Sequence, residues 1–164
     1  VDAYVRDYFR KAALDALLAE KLPVTVFGEG WEKYSCGDEH SLRREPAVPF
    51  ALSFERIAKA HVLLNVSPIF NRGMHDRVPA GMANHAVVLT DENPYLRRTF
   101  TDGKELLFYS LEKPDTLCEQ AERTLTDVRL REKIAASAYE TFEREYTWKR
   151  RAEQILAFAE EVEA

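Results

Sequence analysis

At 164 residues, with 46% hydrophobic and 31% charged residues, the chain has the length and composition of one globular domain with a real core. Its net charge of −5 argues against a general nucleic-acid binder, which needs a basic stripe, and no apolar run reaches the roughly 20 residues that cross a bilayer. Cys36 and Cys118 stand far apart without metal-ligand spacing, so they read as ordinary small apolar residues of a reduced, cytoplasmic protein. The chain opens inside a helical pattern with no Met and no signal-peptide layout, as a piece cut from a longer protein does.

In chain order, Tyr4, Val5, Tyr8, Phe9, Ala12, Ala16 and Leu17 share one face at helical period and predict an amphipathic first helix. After Pro23, the β-branched run Val24-Thr25-Val26-Phe27 closed by Gly28 predicts a buried strand ending in a tight turn. Residues 31–50, with Gly37, Pro46 and Pro49, read as irregular with room for one short extended piece. Ser53 is placed to cap a helix through Lys59, with Glu55 in its first turn. Residues 62–66 form a second strand stopped by Ser67-Pro68, residues 76–84 a helix, residues 86–90 a third strand and residues 106–109 a fourth. The last third reads as helical. Leu130, Ile134, Ala138 and Phe142 recur every four residues, then Trp148, Ala152, Ile155, Leu156, Ala159 and Val162 make a second stripe, with Thr147 as the cap between. Short apolar strands alternating with helices predict an α/β fold: a Rossmann-like parallel sheet with helices on both faces, in a single domain over residues 1–164.

Such sheets bind ligands outside the C-terminal ends of their strands, which selects the loops after Phe27, Val66, Thr90 and Tyr109. In the second of these, Asn71, Arg72, Gly73, His75 and Arg77 precede or open a helix whose Pro79 belongs in a first turn, where a missing N–H costs nothing. Free helix N–H groups, the positive end of a helix dipole and two or three cationic side chains suit a phosphate or diphosphate, and Gly73 lets the backbone approach it. The residue types alone equally allow Arg72 and Arg77 to pair with surface acids and His75 to be a simple polar loop residue.

After the first strand, Gly28 and Gly30 admit close approach of a ligand and Trp31 offers a stacking plane, unless it is a core tryptophan beside a tight turn. A dinucleotide fingerprint would need a third glycine where Lys33 stands, so an NAD site is not expected, and there is no P-loop motif. At the end of the third strand, the acids of Thr90-Asp91-Glu92-Asn93-Pro94 are placed to accept sugar or ribose hydroxyls, or Asp91 or Asn93 to cap a short helix over residues 95–99. His40, His61 and His85 lack partners at ligand spacing, so no metal site is proposed.

Taken in order, LPVTVFGEGW (22–31), IAKAHVLLNVSP (57–68), HDRVPAGMANHAVVLTD (75–91), NPYLRRTFTDGKELLFY (93–109) and LREKIAASAYETFEREYTWKRR (130–151) resemble the C-terminal domain of group 1 glycosyltransferases, in particular the spore-maturation-protein-like branch. The resemblance implies the nucleotide-sugar-binding half of a two-domain GT-B enzyme. An N-terminal half would bind the acceptor, which is a glycan, a protein or a small molecule. It implies that Gly28, Gly30 and residues 71–77 hold the diphosphate and donor sugar, that Thr90, Asp91 and Asn93 border the donor, and that cations rather than a bound metal offset the leaving charge. Arg72, His75 and Arg77 would do so here, with no cofactor besides the nucleotide-diphospho-sugar. One departure stands out: where relatives carry two glutamates eight residues apart, this chain has Arg72 and Ala80. Hence a second expectation, a degenerate non-catalytic domain that binds a nucleotide or a partner, and a third, a generic Rossmann-like ligand binder.

Overall fold

Five short strands alternate with seven α-helices in the computed structural model, which describes residues 2–163. They are α1 (Asp2–Ala19), β1 (Val24–Phe27), β2 (Leu42–Glu45), α2 (Phe50–Ile57), β3 (Val62–Asn65), α3 (Arg77–Ala83), β4 (Val87–Asp91), α4 (Pro94–Thr99), β5 (Leu107–Tyr109), α5 (Pro114–Thr126), α6 (Val128–Glu145) and α7 (Trp148–Glu163). Every strand pairing is parallel. Among the described residues the expected single sheet is hydrogen-bonded as two ladders, β1–β2 and β3–β4–β5, whose Val24 and Val62 pack against one common core.

β4 is central, and all five of its residues are buried because strands flank both edges and helices cover both faces. Its side chains alternate as a strand requires. Val87 and Leu89 meet Leu17 of α1 and Leu117 and Ala121 of α5, while Val88 meets Val78 and Met82 of α3 and Ala138 of α6. α3 lies especially close, since a Cβ on Gly81 would stand 2.5 Å from Val88 Cγ2 and 3.0 Å from Leu63 Cδ2.

Of three local expectations, two are met and the Ser53 cap is corrected. β2, the one extended piece of residues 31–50, carries a single apolar residue, Leu42; it forms by pairing with β1 and burying Leu42 against Leu14 and Leu18. α2 starts earlier than Ser53, with Pro49 at its N-cap, and the Ser53 hydroxyl donates to Phe50 O at 2.6 Å instead. α3 begins at Arg77 and runs only seven residues. The expected cap of α7 is present: the Thr147 hydroxyl accepts from Arg150 N at 3.3 Å. The stripe that follows does not pack on the domain, for Trp148 is 90% exposed and Ile155, Leu156, Phe158 and Val162 are exposed with it. Among the described residues no helix is long and apolar enough to cross a membrane.

Candidate functional site at the strand ends

Asn65, the last residue of β3, is a polar side chain ending an apolar run, and it is buried. Its amide donates to Thr90 Oγ1 at 2.9 Å, and its Oδ1 accepts from Ser67 Oγ at 3.1 Å and from Arg77 Nη1 at 2.7 Å. Next door, the Asp91 carboxylate accepts from Ser67 N at 2.7 Å, Thr90 Oγ1 donates to Asp91 O, and Tyr109 Oη donates to Asn65 O at 3.2 Å. The C-terminal ends of β3, β4 and β5 are thus tied into one buried polar ring, from which Arg77 projects.

Arg77 is half-buried, and its Nη2 lies 3.1 Å from His75 Nε2. A guanidinium can only donate, so Nε2 is the acceptor and the imidazole proton sits on Nδ1, facing the Asp76 carboxylate. The Arg77 backbone N–H, 3.2 Å from that same Nδ1, then finds no lone pair there. Burial, then the charge of Arg77, holds His75 below its usual pKa, so it is neutral at pH 7. Burial, then Arg10, likewise lowers Arg77 within its always-charged range.

Arg10 and Arg6 lie one turn apart on α1, and their charges reach this site: both bear on Arg77, and Arg10 bears on His75. Arg10 is partly buried and has no hydrogen bond or ion pair among the described residues. Among the described residues Arg6 pairs only with its neighbour Asp7, at 3.5 Å. Countercharge comes from exposed Asp76, paired with His75, and from buried Asp91. Burial pushes its carboxyl up to about 6, against the opposing pull of the Ser67 N–H and Arg77. Two guanidinium groups, Arg77 and Arg10, thus bear on the strand ends, and their N–H donors suit an anion.

The residues expected from the sequence divide among three places. His75 and Arg77 meet the polar ring. Asn71 and Arg72 are exposed on the loop, and Arg72 has no hydrogen bond or ion pair among the described residues. Thr90 and Asp91 are 0% and 2% exposed, so their side chains serve the ring and do not face outward for sugar hydroxyls. Asn93 caps α4 by accepting from Leu96 N at 2.8 Å, and its amide donates to Phe70 O and to Gly73 O. Gly28 and Gly30 have the left-handed backbone that favours glycine, with φ of 120° and 91°. Trp31 packs against Leu14, Leu18 and Leu42 in the reading that made it a core residue, and its Nε1–H donates to Phe27 O at 3.3 Å. None of these three hydrogen-bonds to the ring. The start of α3 offers fewer free N–H groups than expected, because Val78 N donates to His75 O and Ala80 N to Asp76 O.

The residue-type reading passed over Asn65, Ser67, Arg6 and Arg10. Two signals were available: an asparagine closing Val62-Leu63-Leu64, and arginines at i and i+4 in the first half of the helix that precedes a strand. Two surface grooves of about 370 Å³ lie elsewhere, one beside Tyr95, Tyr146 and Arg151, the other beside Leu18, Cys36 and Asp38. Among the described residues no three His, Cys, Asp or Glu side chains gather to hold a metal ion.

A family model described as glycosyl transferase-like matches residues 6–157. No curated protein matches the chain. Among solved structures, HepE from Anabaena in complex with UDP-glucose is similar over 94% of this chain and 44% of its own, with a TM-score of 0.73 and 12% identity. A glycosyltransferase from Rickettsia africae is similar over 93% of this chain and 44% of its own, at a TM-score of 0.74 and 10% identity. The C-terminal domain of a group 1 glycosyl transferase (LpcC) from Francisella tularensis gives 0.52 at 11% identity, over 88% of this chain and 80% of that one. At these identities the structures speak for the fold, and the chain spans less than half the length of the first two. The match over residues 6–157, with the parallel α/β architecture beside it, places this chain in the glycosyl transferase-like family.

Proposed function

We propose that the domain binds the diphosphate of a nucleotide-sugar at Arg77 and Arg10, and that it serves a transferase moving the sugar to an acceptor hydroxyl. The observation that carries this reading is the pair of guanidinium groups that act on this site: Arg77 is fixed by Asn65 and His75, and Arg10 has no hydrogen bond or ion pair among the described residues. In transfer, the acceptor oxygen bonds to the anomeric carbon as the bond to the diphosphate oxygen breaks. Negative charge then grows on the leaving group, where preorganised guanidinium groups stabilise it most. His75 acts through Arg77: neutral and bonded at Nε2, it orients the guanidinium and adds no charge of its own. HepE carries UDP-glucose in a fold of this kind, which supports a nucleotide-sugar as the ligand class. We propose further that binding needs no divalent metal, that the transferred group is a hexosyl, and that transfer needs a second, acceptor-binding half.

A non-catalytic nucleotide-binding domain is the competing reading, favoured by exposed Arg72 and by Ala80 within α3 at the two positions where the resemblance calls for glutamates. Thermal melts with millimolar UDP, GDP or ADP and no added metal test the site itself. Binding to the native state alone raises stability by about 2.7 kcal/mol at a hundredfold excess over Kd. Melting temperatures unmoved by all three nucleotides would remove the basis for the proposal. A shift abolished by chelator would overturn its metal-free part.

A further inference from the structure

We propose that Asn93 is a positioning residue for the anion-binding loop: its carboxamide latches residues 67–76 to the β4–α4 junction and so sets where His75 and Arg77 stand. The proposal rests on the function proposed above. Capping explains only half of this side chain. To cap α4 it needs an acceptor, which Oδ1 supplies to Leu96 N, and Ser, Thr or Asp would do as well. The amide half is surplus to the cap, yet Nδ2 donates to Phe70 O at 2.6 Å and to Gly73 O at 3.3 Å, carbonyls more than nineteen positions earlier in the chain. Asn93 is only 8% exposed, so these bonds are shielded from competing water.

Besides the Met74 side chain, which packs on the core beside Val78 and Met82, the loop has few other holds. Asn71, Arg72 and Asp76 are exposed, and Ile69 and Phe70 remain 47% and 40% exposed. Its start is fastened by Ser67 N to Asp91 Oδ1, two residues before Asn93, so the same strand end grips the loop at its beginning and its middle. The far end follows by contact: the Phe70 ring rests against the His75 ring at 5.6 Å, and His75 Nε2 holds the Arg77 guanidinium. Fixing the Phe70 carbonyl therefore constrains the guanidinium that meets the ligand.

Asn93→Ser separates the two halves, because serine retains a cap acceptor and cannot supply the two amide donors. Asn93→Asp does the same with a carboxylate and serves if the serine variant fails to fold. Hydrogen exchange of the 67–76 segment and UDP titration without metal are the readouts, with the melting temperature as control. Expected are a melt within a few degrees of wild type, exchange across 67–76 faster by about tenfold while β4 stays protected, and UDP affinity lower by about tenfold. Unchanged exchange in 67–76 would overturn the latch; a loosened loop with undiminished UDP affinity would overturn its link to binding. Arg77→Ala, measured alongside, keeps the two ideas apart. If that variant binds UDP normally, the site assignment fails, while the exchange data still decide the latch.

Discussion

Arg77 has five N–H donors, of which one points to Asn65 and one to His75, leaving three for a ligand. Arg77→Ala should therefore weaken UDP binding by about 1.5–3 kcal/mol, roughly 10- to 100-fold, as charge-assisted bonds do. Folding should suffer far less, because Asn65 Oδ1 keeps its bond from Ser67 Oγ. Calorimetric titration beside a thermal melt separates the two effects. A normal affinity with a much lower melt would make Arg77 a structural group. Arg10→Ala should weaken UDP binding with no loss of stability, since no described protein group depends on it. Asp91 carries the clearest pH signature. Its carboxyl is raised to about 6 by burial, while the unfolded chain ionises near 4. Between these values the folded state holds a proton that the unfolded state has released, so this group's contribution to stability falls as pH rises from about 4 to about 6 and is level above. Melting curves of wild type and Asp91→Asn should show the variant gaining relative stability across that window, on the order of 1–3 kcal/mol in all. A difference that is flat with pH would show that Asp91 is not held in a raised state.

Among the elements, α3 matters most because it carries Arg77 on a helix pressed against β3 and β4. Gly81→Ala improves helix propensity by about 1 kcal/mol, but it forces a methyl group to within 2.5 Å of buried Val88 Cγ2. Overpacking costs about 1–3 kcal/mol, so the melting temperature should fall by a few degrees, and a rise would show that the interface has slack. α7 is the opposite case. None of its described residues is buried, so removing residues 148–163 should leave the melting temperature within a few degrees of the intact chain. A large fall would mean that the exposed stripe packs in solution. Pro79 made α3 legible and periodicity α7, yet neither gave a hint that one is wedged and the other stands off. β2 shows the converse, for Leu-Arg-Arg-Glu has no strand pattern, and only the parallel partner Val24–Phe27 makes it extended.

At the scale of the whole molecule, the chain has the architecture of a glycosyl transferase-like domain and spans 44% of the HepE chain. Transfer requires an acceptor held in line with the donor and shielded from water, a geometry that accounts for much of such a rate. The residues proposed to bind the diphosphate, Arg77 and Arg10, would supply donor-side charge alone. We expect this chain to bind nucleotide but transfer no labelled sugar to acceptors in a cell extract, and activity to return in a longer protein that carries an acceptor-binding half. Transfer by the chain alone would overturn the two-domain account; transfer by neither, with nucleotide binding intact, would favour the non-catalytic reading. The apolar stripe of α7, with Trp148, Ile155, Leu156, Phe158 and Val162, is exposed.

What the sequence determined by itself was whatever depends on near neighbours. Four strands, the amphipathic helices, the Thr147 cap and the loops at the strand ends all follow from short apolar runs, a period of 3.6 and turn residues. Five motifs in order carried the family resemblance. The ring depends on distance across the fold: Asn65, Thr90, Asp91 and Arg77 belong to three elements and meet only when β3 and β4 align in parallel register, Asn65 opposite Thr90. That alignment turned Thr90 and Asp91 from expected sugar contacts into buried frame, made Asn93 both cap and latch, and brought Arg10 from α1 toward Arg77. Side-chain direction and burial are properties of packing between distant segments, and local residue patterns do not encode them.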